Sequence, residues 1–179
     1  MNYPLPVFAK VYENKGDQIL CFHADLNLYH SKGVRLTVQE CFDFVRIVVG
    51  GLRFTALLER ALSPITCNRF CAILPFRAKL LQARWSGEAA WIPLGNLDLG
   101  VVPESVTSTP EPGEILFHPA DHSECEILFP YGKCTFRCED GELTGNRFLT
   151  IVEGWEHLAR VGELVLWQGS QDIEFSLAG

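Results

Sequence analysis

The sequence predicts a mainly β protein with two helices, and its strands are expected to form a closed β-barrel. Many short β-rich runs are separated by turn signals, and only two segments carry helix signals. Gly50-Gly51 joins two of these runs as a two-residue hairpin. Many short strands with only two helices are typical of a barrel whose ends the helices plug. At 179 residues the chain has the length of one domain.

The first half of the predicted barrel contains a hairpin and a helix. The hairpin joins Val45–Val49 to Leu52–Glu59. A helix is expected to begin at Ser63-Pro64, with serine as the N-cap and proline at the first helical position. Pro75 is expected to end it. Its apolar residues, which are compatible with one face, are Ile65, Phe70, Ile73 and Leu74.

The second half begins with another predicted hairpin, Lys79–Trp85 and Glu88–Leu94, around Ser86-Gly87. A long loop follows at Gly95–Pro112. A helix is predicted at Trp155–Leu166, after the break at Glu153-Gly154. The remaining predicted strands are Glu114–Phe117, Glu124–Phe129, Lys133–Arg137, Arg147–Val152 and Asp172–Leu177.

Charge and hydropathy limit the classes of partner. The net charge of −7 repels phosphate backbones, which excludes nucleic acid as an expected partner. No apolar run approaches the roughly 18 residues that a membrane span needs. The first 20 residues also lack the apolar core of a secretory signal, so a cytoplasmic location is expected, without a membrane partner. Seven cysteines, an odd number, are then best interpreted as reduced thiols. Oligomeric state stays open.

Three groups of side chains were tested as metal ligands. On a straight strand Cys134 and Cys138 lie about 13 Å apart and cannot share an ion. Cys67 and Cys71 are neighbours on a helix, but a free cysteine there is more often a small buried hydrophobe. The loop His118–Glu124 holds two histidines and two carboxylates, and a solvated turn is its favoured interpretation. No metal and no cofactor are predicted.

Short motifs resemble the cyclophilins. Ser63–Phe70 (SPITCNRF) resembles their first helix, in which a Pro-x-Thr turn leads to a helix with an inward phenylalanine. Asn146–Trp155 (NRFLTIVEGW) resembles their junction of strand, Glu-Gly and helix, and Ile173–Phe175 resembles their closing strand. The middle of the chain (ARWSGEAAWIPLGNLDLG, GEILFHP and EILFPYG) is similar to a bacterial cyclophilin-like family of unknown function, often encoded beside catabolic amidohydrolases.

The resemblance implies a closed cyclophilin-like β-barrel domain over residues 45–179. Residues 1–44 precede it as an N-terminal extension, expected to be loosely docked or disordered. Leu26–Tyr29 and Val34–Val38 are compatible with short strands there, and an extra edge hairpin on the barrel is one interpretation. The other interpretation is that the native chain begins near Val45.

Activity does not follow from the resemblance. Cyclophilins isomerise X-Pro bonds in an apolar pocket with an arginine, and Arg84 holds a comparable place. The position of their pocket histidine is Gly145 here. The Phe-Met-x-Gln run that follows their arginine is replaced by Ser86–Ala89. Peptidyl-prolyl isomerase is therefore an alternative and not the favoured function.

Arg84 and Glu88 flank the Ser86-Gly87 turn, with Trp85 and Trp91 beside them. One interpretation is a surface ion pair, worth about 1 kcal/mol at most. The favoured one is an arginine offered to a carboxylate, carbonyl or imide ligand, with a tryptophan wall beside it. The other candidate ligand-binding residues are His118, Tyr131, Asn146 and Phe148.

The sequence thus predicts a protein that binds a small polar or amide-bearing ligand, as an accessory protein or enzyme of small-molecule catabolism. No arrangement of catalytic residues can be read from spacing, so catalysis stays open. A non-catalytic interaction module is the further alternative.

Overall fold

The structure is a computed structural model that describes residues 8–15, 18–25, 43–95, 97–119 and 123–178, the first two ranges by their backbone. The chain divides into two units, Met1–Phe42 and Asp43–Gly179. In the first unit, β1 (Phe8–Lys15) pairs antiparallel with β2 (Gln18–Asp25). The strands predicted at Leu26–Tyr29 and Val34–Val38 lie outside the described residues.

The second unit contains short strands and two α-helices. The helices are α1 (Pro64–Cys71) and α2 (Leu158–Trp167), and 3₁₀ turns cover Arg84–Ser86 and Trp155–His157. The strands are β3 (Phe44–Val49), β4 (Leu52–Leu58), β5 (Phe76–Gln82), β6 (Gly87–Gly95), β7 (Val106–Thr107), β8 (Glu114–His118), β9 (Cys125–Cys134), β10 (Arg137–Cys138), β11 (Gly141–Glu142), β12 (Gly145–Glu153) and β13 (Gln171–Leu177).

Eight of these strands close into an antiparallel barrel. Their order is β4-β3-β13-β5-β6-β9-β8-β12, and β12 pairs back onto β4 with Leu149 opposite Leu58. β7 adds to β12 beyond this ring. The strand that closes the sheet from the C-terminus, β13, lies between β3 and β5. The prediction of a mainly β, two-helix closed barrel is confirmed.

Alternate residues along each strand face the interior, and the two helices complete the core. From α1, Phe70 contacts Phe148 of β12 and Phe175 of β13, with ring centroids 4.9 and 5.3 Å apart. From α2, Val161 and Val165 join the same apolar core. β9 is buried over most of its length, since its residues from Cys125 to Pro130 are all buried. Side chains that matter for function must therefore lie near the ends of such strands.

α1 is shorter than predicted and buries a different face. It ends at Cys71, before Pro75, and its buried residues are Thr66, Cys67 and Phe70. Residues three and four apart share one side of a helix, so the side that carries Phe70 also carries Thr66 and Cys67. Ile65 lies off that side and is 42% exposed. The predicted apolar face was therefore wrong at Ile65.

The predicted strand Lys133–Arg137 was also wrong. β9 continues to Cys134, and the next two residues leave the barrel sheet. Their amides donate to loops instead, Thr135 N to Ser86 O at 2.8 Å and Phe136 N to Ser108 O at 2.7 Å. Cys134 and Cys138 therefore belong to different strands and not to one.

Candidate functional site

Arg84 lies in the 3₁₀ turn between β5 and β6, where its side chain is exposed. The predicted strand Lys79–Trp85 instead ends at Gln82, whose Oε1 accepts the Arg84 amide at 2.9 Å. Ser86 fixes the turn, because its buried hydroxyl donates to the carbonyl of Arg137 and accepts from the amide of the same residue. Gly87 then takes φ +105°, a conformation that side chains disfavour.

Five predicted residues come together around this turn, and we call them the Arg84 cluster: Arg84, Trp85, Glu88, Trp91 and Tyr131. Within it, the Arg84 side chain lies near the Tyr131 hydroxyl. Burial raises the pKa of Tyr131, whereas the positive charge of Arg84 acts in the opposite direction. The phenol therefore stays protonated at neutral pH beside the arginine.

The ring of Tyr131 lies against α2 at Gly162. A Cβ at Gly162 would come within 2.5 Å of Cε2 of the tyrosine, so the helix leaves space for the ring only because this residue is glycine. α2 thereby positions Tyr131, which lies near Arg84. This end of the barrel will be called the α2 end.

Glu88 does not pair with Arg84. Its Oε2 accepts the backbone amide of Lys133 at 3.0 Å. Within the part of the chain that the structure describes, no carboxylate lies within ion-pair distance of Arg84. The interpretation of this stretch as a surface ion pair is therefore not observed. The Arg84 guanidinium and the Glu88 carboxylate are therefore both exposed near the same turn. The carboxylate accepts a backbone amide, and the guanidinium lies near the Tyr131 hydroxyl.

The two tryptophans differ in burial. Their rings meet edge to face, with centroids 5.6 Å apart. Trp91 packs on the outer side of the sheet, whereas Trp85 is 49% exposed beside Arg84. We call the residues beneath Trp91 the outer cluster: Ala83, Ala89, Leu116, Leu128, Cys134, Phe136 and Leu143. Trp91 therefore anchors the pair, and Trp85 offers an aromatic surface to solvent.

His118 and Phe148 are not part of the Arg84 cluster. His118 is 2% exposed; its Nδ1 donates to Thr144 O at 2.7 Å, and its ring lies 5.8 Å from Phe136 of the outer cluster. In the pairing of β8 with β9, His118 lies opposite Glu126. Glu126 and Tyr131 are five residues apart along β9, which is about 16 Å. Phe148 is fully buried in the inner core. Both contribute to packing where the structure places them.

Asn146 is fully buried and hydrogen-bonded on all sides. Its Nδ2 donates to Thr66 Oγ1 at 3.0 Å and to Val102 O at 2.8 Å, and its Oδ1 accepts Glu104 N at 2.8 Å. The Glu104 carboxylate in turn accepts the amides of Ile65 and Thr66 at 2.9 Å and the Thr66 hydroxyl at 2.6 Å. We call this set the Glu104 network. It ties loop 97–105 to the N-terminus of α1, and no sequence motif predicts it.

A cavity of about 520 Å³ opens at the far end of β6 and β9, where Gly95 lies opposite Cys125. It is within the size range of small-molecule pockets. Its described walls include Leu99, Val101, Phe117, Cys125, Asp98 and Glu124. No pattern in the sequence predicts this cavity, because its two carboxylates belong to loops that are far apart in the chain.

The described residues hold no group of three or more histidine, cysteine or acidic side chains placed to bind a metal ion. Burial raises the pKa of Cys67 to about 12 and that of Cys134 to about 11. Both thiols are protonated at neutral pH, so they are poor nucleophiles. In the same part of the chain, no helix has the length and apolar character that a membrane span requires.

The fold and these sites define a closed antiparallel β-barrel domain with a helix at each end. Residues 45–177 match the family described as a protein of unknown function (DUF3830), and the chain belongs to this family. No curated protein matches the chain.

Two solved structures are similar to this chain. One is "Structure of McbB in complex with tryptophan", with a TM-score of 0.60 and 18% identity, covering 75% of this chain and 45% of that protein. Another is the solution structure of the hypothetical protein AF2241 from Archaeoglobus fulgidus, with a TM-score of 0.48 and 15% identity, covering 75% of this chain and 94% of that one. The matched part is less than half of McbB, and at 18% identity the likeness concerns the fold alone.

Proposed function

We propose that this protein is a cytoplasmic, cyclophilin-like barrel that binds a small polar or amide-bearing molecule at the Arg84 cluster, as an accessory protein or enzyme of small-molecule catabolism. One observation carries the proposal: the Arg84 guanidinium is exposed, lies near the Tyr131 hydroxyl and forms no ion pair with a carboxylate of the described residues. We also propose that residues 45–179 form the cyclophilin-like domain and that residues 1–44 are an extension to it.

The chemistry of the cluster suits an amide, imide or ureido group. A guanidinium donates two parallel hydrogen bonds to a carboxylate or to paired carbonyl oxygens. Glu88, one residue beyond the turn, supplies an acceptor for the N–H of the same ligand. The exposed ring of Trp85 supplies an apolar wall against which a flat ligand stacks. Donor, acceptor and wall together favour a ligand with both C=O and N–H groups.

The test is calorimetric titration and thermal unfolding with a panel of succinimide, hydantoin and an N-carbamoyl amino acid. At 100 times its Kd, a ligand adds about 2.7 kcal/mol to the free energy of unfolding. We expect Arg84→Ala to weaken binding at least about tenfold, which corresponds to about 1.4 kcal/mol. Arg84→Lys should restore part of it, because lysine keeps the charge and loses the paired geometry.

Arg77→Ala is the matched control. Arg77 is an exposed arginine of β5 that pairs with Glu174, and its loss should leave ligand binding unchanged. Equal losses in both variants, or no stabilisation by any compound of the panel, would contradict the proposal. Isomerisation of a proline-containing peptide that disappears in Arg84→Ala would instead establish the prolyl isomerase alternative. Capture of a protein partner through Trp85, without any small ligand, would establish the interaction module.

A further inference from the structure

The cavity is a separate place from the Arg84 cluster. Gly87 of β6 lies opposite Cys134, at the α2 end, whereas Gly95 lies opposite Cys125 at the cavity. The two glycines are eight positions apart along an extended strand, which corresponds to about 26 Å. A ligand in the cavity therefore does not contact Arg84, and the two places are tested independently.

The walls of the cavity are divided by polarity. Its inner surface includes Phe117 and Cys125, which are 1% and 3% exposed, together with the partly buried Leu99 and Val101. The carboxylates of Asp98 and Glu124 belong to exposed residues that also line it. No lysine or arginine is present among the described residues of the lining. The described lining thus combines apolar side chains with two exposed carboxylates.

Two further observations concern this negative charge. Asp98 is held in position, because its Oδ1 accepts the amide of Gly100 at 2.6 Å. Burial and the negative charge of Glu124 together raise the pKa of the buried Glu126 to about 7. The net charge of −7 also attracts cations to the protein as a whole.

We propose that this cavity binds a small organic cation, an ammonium group attached to an apolar body. The body lies against Phe117, Leu99 and Val101, and the ammonium group lies beside Asp98 and Glu124. A primary or secondary amine of phenethylamine size fits inside the volume of about 520 Å³ and leaves most of it to water. The proposal does not depend on the function proposed for the Arg84 cluster.

The experiment compares three probes of the same shape and different charge: 2-phenylethylamine, 2-phenylethanol and 3-phenylpropionate. Binding to the full chain is measured by titration calorimetry and by amide chemical-shift changes. We expect the amine to bind about fivefold more tightly than the alcohol, and the anion to bind most weakly. The amine's advantage should fall in 0.5 M NaCl, because exposed charges are screened.

Two variants identify the place of binding. The double variant Asp98→Asn, Glu124→Gln should bind amine and alcohol equally; asparagine keeps the acceptor for the Gly100 amide. Ser123→Trp, which fills the cavity, should abolish binding of both. Glu142→Gln, at an exposed carboxylate of β11, is the control and should change nothing. Arg84→Ala should also leave amine binding intact, which separates this proposal from the proposed function.

Three results would overturn the inference: no binding of the amine at millimolar concentration, equal binding of amine and anion, or an unchanged preference for the amine in the double variant. If Ser123→Trp fails to fold, the double variant decides alone, because its substitutions are nearly isosteric and lie at exposed positions.

Discussion

The two ends of the barrel differ in how their polar side chains are bonded. At the end next to α1, Asn146 and Glu104 are bonded to each other and to the backbone of α1, with Asn146 fully buried. At the α2 end, Arg84 is exposed and lies near one tyrosine hydroxyl. A buried polar group must be satisfied internally, whereas an exposed one keeps its capacity for a ligand. Polar residues of the first kind hold the fold, and those of the second kind are available for function.

The largest effect is expected where the polar groups are buried. Asn146→Ala removes the partners of Thr66 Oγ1, Val102 O and Glu104 N, and we expect a loss of about 4 kcal/mol in the free energy of unfolding. Chemical denaturation measures this. Asn68→Ala is the control, because Asn68 is exposed and bonded to Arg60; it should lose less than about 1 kcal/mol. Similar losses in the two variants would remove the distinction between the two ends.

Glu126 adds a pH dependence beside the cavity. Burial and the like charge of Glu124 raise its pKa from 4.5 to about 7. Between these pH values the native carboxyl keeps a proton that the unfolded chain has lost, so this group lowers the free energy of unfolding as pH rises through the window. Glu126→Gln cannot ionise. We expect it to be about 3 kcal/mol more stable than the parent near pH 8, and equal to it near pH 4.5.

The measurement for Glu126 is denaturation at several pH values, with Glu142→Gln as an exposed control of the same chemistry. A parallel pH profile for Glu126→Gln and the parent protein would show that the Glu126 carboxyl ionises as freely in the folded chain as in the unfolded one.

A smaller effect is expected at the α2 end, through Gly162. Alanine is normally the better helix former by about 1 kcal/mol. Here its Cβ would meet the Tyr131 ring at 2.5 Å, so we expect a net loss of about 2 kcal/mol and a shift of the Tyr131 ring beside Arg84. Denaturation together with tyrosine fluorescence measures both consequences. A stabilised Gly162→Ala variant would mean that Tyr131 moves aside at no cost.

The smallest effect is expected at the exposed cluster itself. Because Glu88 bonds the Lys133 amide and not Arg84, Arg84→Ala should cost less than about 1 kcal/mol of stability. A double-mutant cycle with Glu88→Ala should give a coupling below about 0.5 kcal/mol. A coupling above about 1.5 kcal/mol would make Arg84 a structural residue and leave the proposed function without its anchor.

The sequence predicted the barrel well because its signals are local. Gly50-Gly51 takes positive φ at both positions, as the hairpin requires, and the break at Gly154 also needs positive φ. The sequence predicted a smaller part of the candidate site. Arg84, Glu88, Trp85 and Trp91 are near one another in the chain, and their grouping followed from spacing. Glu104 and the cavity depend on contacts between distant segments, which no pattern along one strand or helix reveals.

The Glu104 carboxylate has a consequence for the motion of the chain. It occupies the first amides of α1, so the positive end of the helix dipole is already neutralised from within. The loop that carries Glu104 also supplies Leu97, Asp98, Leu99 and Val101 to the cavity wall. Release of the carboxylate frees the helix end, whereas the loop stays bonded to Asn146 through Val102 O and Glu104 N. The amide protons of Ile65 and Thr66 should therefore exchange with solvent at the rate at which the Glu104 carboxylate leaves them, without opening of the cavity wall.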